Sequence, residues 1–145
     1  MRPPQGWWMP YIGRPYRPGE FDCADLAVTV QREVFGRDIA LPSHARGAFA
    51  QSAQIRAHLA DFGEPTRAPE PGDAVLLWAR GRLAHIGVFY RELNGQPGVL
   101  HATSRAMQVT ANALHTLPSL GLEVEGFYRW KLPPGLANHP GTVNN

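Results

Sequence analysis

The chain is poor in the residues that staple small proteins together. It holds one cysteine in 145 residues, so no internal disulfide forms, and CxxC redox pairs and multi-cysteine zinc sites are excluded by count. Long apolar runs are missing too: none approaches the roughly 18 residues of a membrane helix. The first residues, Met1-Arg2-Pro3-Pro4-Gln5-Gly6-Trp7-Trp8, carry no apolar signal-peptide core. Nor is there a large excess of one charge. Lys and Arg number 14 against 12 Asp and Glu, a net charge of +2, and no Lys/Arg cluster marks a nucleic-acid surface. What is abundant is chain punctuation: 15 glycines and 14 prolines predict many short elements separated by turns. The length suits about one domain with a single core.

Residues 6–20 set Trp7, Trp8, Tyr11 and Tyr16 among Pro10, Gly13, Pro15, Pro18 and Gly19, the pattern of a short aromatic-anchored helix followed by turns. From Cys23 the period becomes helical. Cys23, Leu26, Ala27, Val30 and Val34 fall on one face, with Asp22 as N-cap and Gly36 as stop. A second helix is expected over 46–62, where Phe49, Ser52, Ile55, Leu59 and Phe62 recur at helical spacing before Gly63. From Gly72 onward the reading is β. Strands are predicted at 74–78, 83–90, 99–103, near 107–110 and across 127–132, with turns around Gly81 and Asn94-Gly95. Helices first and sheet second argue for an α+β fold, N-terminal helices packed on a C-terminal antiparallel sheet, rather than an alternating parallel one. One domain is expected over 1–132, with 133–145 as a flexible C-terminal tail.

Chemistry concentrates on three residues. Cys23 opens the best-defined helix, where unpaired N–H groups and the positive end of the macrodipole favour an anion, so a depressed thiol pKa is expected. A free cysteine is as readily a small buried hydrophobe. His85 and His101 each interrupt an apolar strand. Directly opposite each other in a hairpin they would centre the loop on Leu93, whereas a strict two-residue Asn94-Gly95 turn would pair His85 with Ser104; a longer or bulged loop is therefore required. The imidazoles are then cross-strand neighbours, about 5 Å apart at Cβ, one orienting the other. The set reads as nucleophile Cys23, general base His85 and orienting His101, with the sulfur and the rings expected in contact, within roughly 4 Å of one another. A zinc site built from the same three residues is the competing reading. It lacks any short-range ligand pair such as HxxxH, and no metal or other cofactor is expected.

Phe21-Asp22-Cys23-Ala24-Asp25-Leu26 resembles the nucleophile motif of the NlpC-type papain-like cysteine peptidases, the cell-wall endopeptidases. Pro71-Gly72-Asp73-Ala74-Val75-Leu76-Leu77 is similar to the Gly-Asp segment that opens a strand in that family. Ala84-His85-Ile86-Gly87-Val88-Phe89-Tyr90 resembles its base-bearing strand, and Val99-Leu100-His101-Ala102 the strand of its third residue. Ahead of the nucleophile, Tyr11-Ile12-Gly13-Arg14-Pro15-Tyr16-Arg17-Pro18-Gly19 is similar to the arm of the phage-tail members, in which the tyrosine corresponding to Tyr16 lines the active site. The chain departs from the common pattern in carrying Ala24-Asp25 where many relatives have Ser-Gly, and Gly19 alone where they have two adjacent glycines.

The resemblance implies a papain-like catalytic domain in which Cys23 attacks an amide, forms a thioester and releases it by hydrolysis. In the family the substrate is the peptide stem of bacterial peptidoglycan, typically cut at a γ-D-glutamyl to diamino acid bond. Stem peptides and phage tail proteins are thus the expected partners; nucleic acid and membrane insertion are not. The implied site is Cys23, His85 and His101, supported by Tyr16 and Asp22. Asp22 reads equally as an N-cap alone, and Tyr16 as packing alone. Synthesis in the cytoplasm without a signal peptide would leave delivery to a virion tail, the periplasm or the cell wall. Two other functions fit the same residues: a non-catalytic structural or assembly module of a phage tail, and a thiol amidase or acyltransferase with another substrate.

Overall fold

A computed structural model describes residues 3–17, 20–39, 63–79, 82–103 and 105–131. The helix expected over 46–62, the turn around Gly81, Gly19 and the tail over 133–145 lie outside the described residues.

The helix expected after Asp22 is α1, Cys23–Phe35. Asp22 Oδ1 accepts the N–H groups of Ala24 and Asp25, each at 3.1 Å, and Asp25 Oδ2 accepts the Asp22 N–H at 3.0 Å. Two aspartates thus form a capping box, which gives Asp25 a structural task in this chain. Gly36 closes the helix at φ 66°, a left-handed conformation that glycine adopts without a Cβ penalty. Ala24, Leu26, Ala27, Val30 and Gln31 are buried, so the apolar face read from the sequence is the one that packs.

The sheet strands are β1 Gly63–Thr66, β2 Ala74–Ala79, β3 Arg82–Arg91, β4 Pro97–Thr103, β5 Gln108–Ala113 and β6 Leu122–Trp130. Their order is β1-β6-β2-β3-β4-β5, and every pairing is antiparallel. The fold is therefore α+β, as expected. Three details differ from the sequence pattern. β1 carries Pro65, which has no N–H for a ladder, and it survives because it is an edge strand paired only with β6. β6 begins at Leu122 rather than near 127, its alternation interrupted where the pairing with β2 shifts between Leu76 and Leu77 and skips Glu125. A 3₁₀ segment, Leu114–Leu120, follows β5, held by buried Leu117.

Two apolar layers flank the sheet. On one side Leu26, Ala27 and Val30 of α1 meet Leu76, Ile86, Val88, Tyr90 and Leu100. On the other, Val75, Leu77, Phe89 and Val99 pack with Leu117. The N-terminal arm belongs to the first layer. Its short 3₁₀ turn, Met9–Tyr11, follows Trp8, which stacks on Tyr90 at 4.6 Å, while Trp7 meets Phe35 edge-on at 5.4 Å. The arm then runs along β5: the Gly13 N–H donates to Val109 O at 2.9 Å, the Val109 N–H to Arg14 O at 2.8 Å, and the Tyr16 N–H to Met107 O at 3.0 Å. It covers a sheet edge and carries Tyr16 towards the first turn of α1.

Candidate active site

The site forms where β3 and β4 part. Their ladder runs from Arg91 opposite Pro97 to Val88 opposite Leu100. Phe89 exchanges its bonds towards the β2 side, donating to Asp73 O and accepting from the Gly72 N–H, so the N–H groups of Ile86 and Val88 point towards β4. Ile86 lies beyond the last β3–β4 pair, and its N–H is near enough to the Cys23 sulfur to favour the thiolate. The first residue of α1 therefore lies near the strand that carries His85.

His85 Nε2 and His101 Nδ1 are 2.7 Å apart, with ring centroids at 4.9 Å and planes 69° from parallel. The structure therefore brings the two histidines together, but not by the direct pairing considered from sequence. The β3–β4 register sets His101 beside Gly87, and the rings meet on the diagonal. Beyond His101 the chain of contacts continues to residues the motif pattern did not contain. His101 Nε2 is 2.8 Å from Asn112 Oδ1. The Thr110 hydroxyl lies 3.3 Å from the same ring nitrogen and donates to Asn112 Oδ1 at 3.0 Å. Thr110 pairs directly with His101 across β4 and β5, so Asn112, two residues on, shares that face. The alternation Thr110-Ala111-Asn112 is visible in the sequence; its meaning depends on the β4–β5 register.

The electrostatics correct one expectation. Cys23 sits at a helix N-terminus, yet its thiol is pushed up to about 12, not down. Burial is the largest cause and the Asp22 carboxylate adds to it, outweighing the N–H groups of Ile86, Ala24 and Cys23 itself. The capping box explains part of this: Asp22 brings a negative charge to the very turn whose dipole would otherwise favour the thiolate. His85 is lowered to about 3 by burial and by the neighbouring His101, and His101 is also lowered by burial. Both shifts favour the neutral forms, a thiol at Cys23 and an imidazole at His85. Tyr16 is raised by burial and then by Cys23 and Asp22, which places its hydroxyl within electrostatic reach of both. Asp22 is the N-cap, with both caps made by one carboxylate oxygen.

Among the described residues no hydrogen bond joins Cys23 to either imidazole, so only the histidine half of the expected triad is closed by direct contact. Among the same residues no three His, Cys, Asp or Glu side chains stand close enough to hold a metal ion. The Gly72-Asp73 segment is structural. Asp73 Oδ2 accepts the Glu70 N–H at 2.8 Å and Arg129 Nη2 at 3.1 Å, and Gly72 O accepts Gln31 Nε2 at 2.7 Å and Trp130 Nε1 at 3.0 Å, fastening the start of β2 to α1 and β6. Among the described residues no helix is long and apolar enough to cross a membrane. A scan against protein-family models and a search of curated proteins each find no match to this chain.

Proposed function

We propose that this protein is a papain-like cysteine peptidase of the NlpC type, hydrolysing peptidoglycan stem peptides at an amide such as the γ-D-glutamyl to diamino acid bond. The observation that carries this reading is the hydrogen-bonded His85–His101 pair, on a strand whose next residue, Ile86, brings its N–H near the sulfur of Cys23 at the first turn of α1. The substrate class and a role in a phage or prophage tail rest on the resemblance of the Cys23, His85 and His101 segments and of the Tyr11–Gly19 arm.

His85 Nε2 is occupied by His101, which leaves Nδ1 to exchange protons with the thiol. As Cys23 Sγ attacks the amide carbon, its proton passes to His85 Nδ1 and the carbonyl π pair moves onto oxygen. The Cys23 N–H is the helix donor available to that oxyanion, because Asp22 takes those of Ala24 and Asp25. The imidazolium then protonates the leaving nitrogen, the C–N bond breaks and a thioester remains. Water, deprotonated by His85, attacks the thioester; the C–S bond breaks, the acid leaves and the sulfur regains its proton. With a thiol and imidazole both neutral at rest, proton transfer accompanies attack instead of preceding it.

Purified protein is expected to release stem-peptide fragments from sacculi, and Cys23→Ala protein is not. Equal release by that variant would refute the assignment. The high thiol pKa favours one second reading, a tail assembly module that keeps the fold without hydrolysis; for it, wild-type and variant are both silent on sacculi.

A further inference from the structure

The contacts of His101 specify more than a third catalytic partner. At 1% exposure His101 has no access to bulk water, so the hydrogen atoms on its ring are dictated by its protein neighbours. Asn112 Oδ1 is an acceptor, and at 2.8 Å it requires a proton on His101 Nε2. A neutral imidazole has only one N–H, so His101 Nδ1 is then a bare acceptor. That acceptor, 2.7 Å from His85 Nε2, requires the proton of His85 to be on Nε2. Neutral His85 is left with its lone pair on Nδ1. Turning the Asn112 amide over would reverse every step: an N–H donated to His101 Nε2 would put a proton on His101 Nδ1 and another on His85 Nδ1, where it blocks the base. With the Asn112 oxygen towards the ring, the Thr110 hydroxyl donates to Oδ1 at 3.0 Å and its own oxygen, 3.3 Å from His101 Nε2, faces the same ring N–H.

We propose that Asn112 is a positioning residue that sets the tautomers of both histidines, keeping His85 Nδ1 free to accept a proton. Its value for catalysis rests on the peptidase reading above; the tautomers themselves do not. The burial of His101 and the lowered pKa of both imidazoles agree with a neutral pair in which a tautomer is defined.

The test is two-bond ¹H–¹⁵N correlation of the histidine rings at neutral pH, alongside stem-peptide hydrolysis, for the wild type, Asn112→Asp and Asn112→Leu. The wild type is expected to show Nε2–H on both His85 and His101. Asp offers only acceptors, so Asn112→Asp is expected to keep both tautomers and to retain activity within about tenfold. Asn112→Leu is expected to mix the tautomers and to lower kcat at least tenfold. A proton on His85 Nδ1 in the wild type, or a tautomer change in Asn112→Asp, overturns the proposal, as does an unchanged pattern in folded Asn112→Leu. Should Asn112→Leu fail to fold, the wild type and Asn112→Asp still decide it. Correct tautomers with no hydrolysis by any form would leave Asn112 its role and reject the peptidase reading; hydrolysis with the wrong tautomers would do the reverse.

Discussion

His85 Nε2 lies 2.7 Å from His101 Nδ1 although the strand register does not set the two residues opposite each other. What makes the diagonal contact possible is the absence of a side chain at Gly87. A Cβ built there would overlap Val99 Cγ2, stand 3.0 Å from Leu100 O and 3.2 Å from His101 Cβ. Gly87 has no positive φ, so its requirement is close approach between strands and not backbone conformation.

Gly87→Ala is therefore expected to push β3 from β4 at the point where the histidines meet. Overpacking of this kind costs about 1–3 kcal/mol, and the activity loss is expected to exceed tenfold because a small displacement of the base breaks the pair. Thermal melting measures the first effect and stem-peptide release by the folded variant the second. A variant with wild-type activity would show that the diagonal contact is not needed.

The Cys23 thiol, pushed up to about 12 by burial and by Asp22, is expected to react slowly with iodoacetamide at neutral pH. The alkylation rate should still be climbing beyond pH 9, because the thiolate fraction grows until the raised pKa is passed. Asn is as good an N-cap as Asp, so Asp22→Asn keeps the cap and removes the charge. Its thiol should titrate lower and alkylate several-fold faster at pH 8, with melting little changed. A rate plateau below pH 7 in the wild type would instead reveal a preformed thiolate–imidazolium pair.

Much of this was legible in the chain itself. The 3.6-residue spacing from Cys23 to Val34, bracketed by Asp22 and Gly36, defines α1, and the apolar runs around His85 and His101 define β3 and β4. Less legible were features created only by pairing. β1 is concealed by Pro65, the start of β6 by the shift at Glu125, and the role of Asn112 by a register that no local pattern states. The raised thiol pKa is not legible in the chain either, because desolvation and the Asp22 charge outweigh the helix N-terminus only once the turn is packed.

The Gly72-Asp73 segment opens a strand, as its resemblance implies, and its contacts are those of a fastening. Gly72 has φ +98°, and a Cβ there would lie 2.7 Å from Phe35 Cζ, so Gly72→Ala is expected to lose about 1–3 kcal/mol from backbone strain. Asp73→Ala removes acceptors from the Glu70 N–H and Arg129, with an expected loss of about 1.5–3 kcal/mol. Both variants should keep kcat near the wild-type value well below their melting temperatures. A large fall in kcat without loss of stability would assign the segment to catalysis.

Acid should destabilise the protein through the imidazole of His85. In the folded chain burial, and then His101, lower the His85 imidazole to about 3 from the 6.5 of an ordinary one. Between those values the unfolded chain holds a proton that the folded chain refuses, so the stability from this group is complete above about 6.5 and drains away as pH falls. One such group changes the unfolding free energy by about 1.4 kcal/mol per pH unit traversed. Carboxylates titrate over part of the same range, so the comparison that isolates the effect is His85→Gln against the wild type in urea unfolding at pH 6.5, 5.5 and 4.5. The wild type should lose stability more steeply than the variant across this series, because glutamine has no proton to gain. Parallel curves would mean that the fold does not hold His85 neutral, and the neutral thiol–imidazole resting state would fall with it.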